Sequence, residues 1–175
     1  AFPFSGNTWS TGNDDNGFDF QTCIFFNDEH YAKTAGLNII EGRWFKKEDE
    51  NSKYIPVLIT KKFREQCFAG KPVLDSLFIL EDEGDFGDFV KIIGVVDHYK
   101  YHGEFAEERL GTFVYTPSTS KESYVAHLRM IDGIEPDAEE KLNKLIASVT
   151  KRADFSVRKL EQRRIQKSQS TWTPM

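Results

Sequence analysis

Tyr31-Ala32-Lys33-Thr34-Ala35-Gly36-Leu37-Asn38-Ile39-Ile40-Glu41-Gly42-Arg43-Trp44-Phe45 is the stretch on which the fold turns. It reads as a short helix, a stop, a strand and a second stop. Gly36 is free to take the left-handed conformation that ends a helix. Leu37, Ile39 and Ile40 then supply an apolar, β-favouring run. Gly42 closes that run ahead of an Arg-aromatic pair, and the charged Lys46-Lys47-Glu48-Asp49-Glu50 follows. Upstream, Phe18, Phe20, Thr22, Ile24 and Phe26 recur every second residue, the period of a half-buried strand. Asn27 or Asp28 can cap the helix between. Residues 18–43 therefore predict a β-α-β unit.

A second such unit is predicted near the end. Ser123 to Met130 reads as a strand closed by Asp132-Gly133. Pro136 suits a first helical turn, and the acidic Asp137, Glu139 and Glu140 and the basic Lys151-Arg152 suit the two ends of a helix dipole. Leu142, Leu145, Ile146 and Val149 share one helical face. Phe155 to Leu160 follows as a strand.

Two β-α-β units separated by a middle segment predict an α+β fold, a ferredoxin-like split layout with residues 49–120 inserted between its halves. The halves would be 1–48 and 121–170, leaving 171–175 as a tail. In that layout both chain ends leave the same edge of the sheet and the insertion projects away from them, which suits a body held by a membrane helix at each terminus. The insertion reads as mostly β, at 55–60, 76–80, 89–96 and 112–115, with one helix over 61–68. The acidic, glycine-containing 81–88 reads as an exposed hairpin turn. Residues 1–17 read as a surface loop. Its Asn13-to-Gly17 run fails as a calcium loop, because Gly12 would stand where an acidic ligand is required. The segment from Glu161 reads as a polar terminus or a juxtamembrane piece with Trp172 at the headgroup level.

Composition narrows the function. The chain has 175 residues, with 15 Phe, 6 Tyr and 3 Trp to fill a core, and a formal net charge of -5. A nucleic-acid surface would show a basic excess, so nucleic acid is not an expected partner. No run approaches the roughly 18–20 apolar residues of a membrane span, and no signal peptide opens the chain. Beginning at Ala1, the sequence reads as a processed or excised fragment. Cys23 and Cys67 fit neither metal spacing nor a disulfide framework.

The pattern from Tyr31 through Gly36, Gly42, Arg43 and Phe45 to Asp49 resembles the extracytoplasmic core domain of MacB-like, FtsX-like ABC-transporter permeases. Two further stretches carry the resemblance. Ile55 to Phe63, with Phe68 and Gly70-Lys71-Pro72-Val73 behind it, is similar to the family's strand, helix and Phe-Gly-x-x-Pro segment, although Asp75 stands near the place of that segment's second glycine. Ile92-Ile93-Gly94-Val95-Val96-Asp97 is similar to its Gly-Val-Val strand. The resemblance implies a porter-like subdomain with an inserted Sabre-like β-rich subdomain, on the periplasmic face of the bacterial inner membrane. It implies a non-catalytic domain without cofactor or metal, whose motif residues Tyr31, Gly36, Gly42, Arg43, Phe45, Asp49, Gly70, Pro72, Gly94, Val95 and Asp97 are structural. Its implied partners are the flanking transmembrane helices, a cognate ABC ATPase and a periplasmic adaptor protein. The isolated domain would be monomeric and the full-length permease a homodimer. Packing at Phe26, Leu37, Ile39, Ile40, Trp44 and Phe45 would then transmit displacement.

Other readings rest on fewer residues. A stand-alone ligand-binding or sensor module would need an apolar pocket. A metallohydrolase would use Asp97, His98 and His102, but histidines four apart on a strand stand about 13 Å apart by strand rise. His30 and His127 are isolated, as expected of hydrogen-bonding histidines, and Glu41 and Asp49 show no catalytic spacing. No Walker loop, dinucleotide fingerprint or nucleophile elbow occurs. Arg43 fits best as a tie from the strand end to the charged loop, through backbone or carboxylate.

Overall fold

A computed structural model describes residues 9–13, 19–81, 88–101, 103, 107–117, 125–130, 137–150, 157 and 159–165. Its centre is β4 (Ile55–Thr60), a strand whose last five residues are all buried. A continuous apolar run of this kind marks a strand covered on both faces. Val57 and Ile59 point into one core with Phe20, Ile24, Phe78 and Val114. Leu58 points into the other with Phe25, Phe45, Phe113 and Tyr115.

Around β4 the pairing forms one mixed sheet from β1 (Trp9–Asn13), β2 (Asp19–Asn27), β3 (Ile39–Gly42), β5 (Leu77–Glu81), β6 (Asp88–Val96) and β7 (Gly111–Tyr115). The order β3-β6-β4-β7-β2-β1-β5 has an added β5–β6 pairing, so six strands close into a ring. Closure leaves those six strands few bare edges. On the β6 edge away from β4, β5 takes Asp88–Lys91 and β3 takes Gly94–Val96. A bulge in β6 makes this possible: Val57 faces Ile92 while Leu58 faces Gly94, which leaves Ile93 as the extra residue. The bulge reverses the alternation, so Ile92 and Val95 point into the same core although three positions apart.

Among the described residues of the first 127, three segments are helical. α1 (Tyr31–Ala35) ends on Gly36 at φ 68°. A 3-10 turn spans Lys47–Asn51. α2 (Lys61–Cys67) begins on Thr60, whose hydroxyl accepts from the Phe63 N–H and from the Gly111 N–H. Phe63 is fully buried, with its ring against Phe20, Phe68 and Phe78.

The structure is α+β, as the pattern predicts, and the strands at 55–60, 77–81, 88–96 and 111–115 fall where the sequence places them. Strands from either side of residue 48 share one sheet, since β2 is parallel to β7 and β3 pairs with β6, and the compact units divide after His127. Several expectations are corrected. The opening loop contains β1, a strand in which Trp9 and Thr11 favour β structure, Gly12 and Asn13 do not, and backbone pairing to β2 and β5 holds the whole. β2 is buried on both faces: Cys23 and Phe25 fill one core and Phe20 and Ile24 the other, while Phe26, expected to be packed, is 49% exposed. Ile40, 37% exposed, also faces outward. Residues 125–130 are not in a strand, and Leu160, the expected end of a strand from Phe155, opens a helix over 160–165. Phe18, Phe155 and His102 and the turn at 82–87 lie outside the described residues.

Cys23 is buried, and neither it nor Cys67 is disulfide-bonded. Among the described residues no helix is long and apolar enough to cross a membrane. In the second unit, α3 (Ala138–Thr150) follows the predicted helix. Leu142 and Ile146 are half-buried, and Asp137–Lys141 and Glu140–Lys144 pair at i,i+4.

The turn after α2 answers the question posed by Asp75. That residue sits at φ 66°, with its N–H on the Ile92 carbonyl at 2.9 Å and its exposed carboxylate 2.7 Å from Lys91. Asp is among the few side chains that tolerate this conformation, and an exposed ion pair offsets only a few tenths of a kcal/mol. Asp75→Gly is therefore expected to raise stability by about 0.5 kcal/mol, seen as a small rise in thermal midpoint; a fall would show that the Lys91 pair matters more.

Candidate functional site

The motif residues converge where β3 meets the bulged end of β6. Gly42 and Gly94 are register partners on the two strands. Gly42 has φ 67°, and a β-carbon there would lie 2.2 Å from the Ile93 carbonyl oxygen and 2.8 Å from Gly94 Cα. A β-carbon on Gly94 would lie 2.6 Å from the Arg43 carbonyl oxygen and 2.9 Å from Leu58 Cδ2. The backbones touch because neither residue has a side chain. The Arg43 N–H then donates to the Ile93 carbonyl at 3.1 Å, carrying the pairing past the strand end.

Beyond this crossing the chain is tied by a charged latch. Arg43 Nη1 and Nη2 donate to Asp49 Oδ2 and Oδ1 at 2.7 and 2.6 Å, a bidentate pair. Nη1 also donates to the Trp44 carbonyl at 3.1 Å. Asp49 reaches back as well, its Oδ2 accepting from the Lys46 N–H at 2.8 Å, half of a capping box on the 3-10 turn. Asp49 is 6% exposed and Arg43 42%. The Arg43 hydrogen bonds hold the Asp49 carboxyl below the usual carboxylate range against the opposing effect of burial, and the same bonds push Arg43 upward. Arg64 of α2 adds a second ion pair, to Glu41.

On the other side of β3 lies an aromatic layer. Tyr31 is buried at the start of α1, and its hydroxyl meets that of Tyr99 at 2.8 Å. Burial pushes both phenols up. Trp44 stacks near Tyr31, Phe45 and Phe113 and donates its Nε1–H to the Asp28 carbonyl at 3.0 Å. Phe45 packs on Tyr115, whose hydroxyl reaches Glu29 at 3.4 Å. Burial, with Glu29 second, pushes Tyr115 up to about 12.

The structure thus brings Tyr31, Gly42, Arg43, Phe45, Asp49 and Gly94 into one joint, with Gly36 capping α1 and Val95 in the core below. The Asp97 N–H donates to the Asn38 carbonyl at 2.9 Å, closing the far end of the same strand pair. Gly70 and Pro72 lie apart, in the exposed turn after α2. His98 sets Nδ1 3.1 Å from Glu108 and Nε2 3.5 Å from Asp97. The two carboxylates engage different ring nitrogens, and among the described residues no group of three or more His, Cys, Asp or Glu could hold a metal ion. Tyr99 and Arg64 escaped the sequence reading, because partners 68 and 23 residues away leave no local signal. The joint fixes the path of the chain from β3 into the charged turn.

The fold recurs in solved structures. The periplasmic region of MacB from Actinobacillus actinomycetemcomitans matches at 16% identity over 96% of this chain and 74% of that one, with a TM-score of 0.64. A domain of a permease protein from Porphyromonas gingivalis matches at 13% identity over 81% and 65%, with a TM-score of 0.55. At such identities the likeness concerns the fold alone. No curated protein matches the sequence significantly. The model of the MacB-like periplasmic core domain matches residues 1–154, which include the whole joint, and the chain belongs to that family of periplasmic domains of ABC-type transporter permeases.

Proposed function

We propose that this domain performs no chemistry and carries movement. ATP hydrolysed by a cognate ABC ATPase shifts the flanking transmembrane helices of a homodimeric permease at the inner membrane, and the domain passes that shift to substrate or to a periplasmic adaptor protein. The observation that supports this reading is the joint itself. The Gly42–Gly94 crossing and the Arg43–Asp49 pair fix backbone geometry where a strand leaves the sheet. Close-packed contacts of this kind pass displacement on instead of absorbing it.

The test uses the full-length permease with its ATPase, reconstituted in lipid, with export and ATP hydrolysis measured together. Arg43→Gln removes the bidentate pair. The expected result is an export rate reduced about tenfold, the scale set by loss of about 1.4 kcal/mol of coupling, while hydrolysis continues. Export at the wild-type rate would overturn the reading.

A further inference from the structure

The stretch at 125–130, expected to be a strand, is not in one. Val125, Ala126, Leu128, Arg129 and Met130 are all exposed, and His127 alone is half-buried. Its ring packs against that of Tyr31 at 5.3 Å between centroids and 75° between planes. Tyr31 is in turn fixed by its hydroxyl bond to Tyr99 and by its place at the start of α1. His127 is also the last residue of the first compact unit. A titratable ring therefore sits at the point where the chain leaves that unit.

We propose that His127 is a pH-sensitive pin, docked on Tyr31 while neutral and released on protonation, so that acidification frees residues 125–127 from the first unit. Burial sets the direction: it disfavours the imidazolium and lowers the pKa below its ordinary value, and the Asp28 carboxylate opposes it. Tyr31 offers a ring that stays neutral, since its own phenol is pushed up. Docking therefore binds fewer protons than release. Its stability is complete above the ordinary histidine value of 6.5 and declines as pH falls below it. This inference is independent of the motion-carrying role.

Amide hydrogen exchange on the 175-residue chain tests it, with rates corrected for intrinsic pH dependence. Protection at 125–127 is expected to fall at least threefold between about pH 7.5 and about pH 5.5 while β4 stays protected. His127→Phe keeps a ring that cannot titrate and is expected to hold its protection at both values. His127→Ala is expected to be unprotected at both. Constant wild-type protection, protection that rises with acid, or an equal fall in His127→Phe would each overturn the proposal.

Discussion

Gly42→Ala is expected to lower the unfolding free energy by about 3 kcal/mol, whereas Gly70→Ala, at nearly the same backbone conformation, costs about 1 kcal/mol. The comparison isolates one cause. Both glycines have positive φ, 67° and 71°, so an L-residue pays a similar left-handed penalty at each. Around Gly70 no atom among the described residues lies within 4 Å of an added β-carbon. At Gly42 the added atom meets the backbone of Ile93 and Gly94, and neither can swing aside as a side chain would. The strands must separate, which strains the Arg43–Ile93 hydrogen bond and the pairing of Gly42 with Gly94. For a chain of this size the difference of about 2 kcal/mol corresponds to roughly 4–8 °C in thermal midpoint. Equal losses at the two sites would mean that the sheet yields at the crossing and that the joint is not rigid.

Both glycines of the crossing were visible in the sequence, but what each does for the other was not. The stop at Gly36, the strand after it and the buried run at 55–60 follow from local propensity and period, and the structure keeps them. The pairing of β3 with β6 joins residues more than fifty positions apart and depends on a bulge at Ile93, for which Ile92-Ile93-Gly94 carries no distinctive signal. The same holds for the Tyr31–Tyr99 bond and the His127 contact. Errors ran in both directions. β1 mixes Trp and Thr with Gly and Asn, which strands disfavour, and is a strand where two neighbours offer it hydrogen bonds. Residues 125–130 carry the apolar Val125, Ala126, Leu128 and Met130 that suggest a strand and are not in one. Propensity decides little where pairing partners decide more. Arg43 was easier to read, because a guanidinium beside a glycine-ended strand and an acidic turn six residues on can meet without help from the rest of the fold.

Asp49→Ala is expected to cost about 2–3 kcal/mol at neutral pH, because it removes a buried carboxylate that accepts charge-assisted bonds. Arg43, half in water, recovers solvation once its partner is gone, which keeps the loss below that of a fully buried pair. The Lys46 N–H also loses its acceptor, so the 3-10 turn frays. Asp49→Asn leaves an acceptor for that N–H without the charge, and a smaller loss is expected. The pH dependence separates the latch from simple packing. Asp49 has a folded pKa below its ordinary value of 3.8, chiefly through the Arg43 hydrogen bonds. Its stabilisation is therefore fully present above that value and disappears as pH falls through the lower, folded one. Denaturant unfolding of wild type and Asp49→Ala should show a constant gap from pH 7 to about pH 5 that narrows only below the ordinary carboxylate range. A gap that stays the same into strong acid would mean that the carboxyl group contributes by shape alone and that its charge does nothing for the joint.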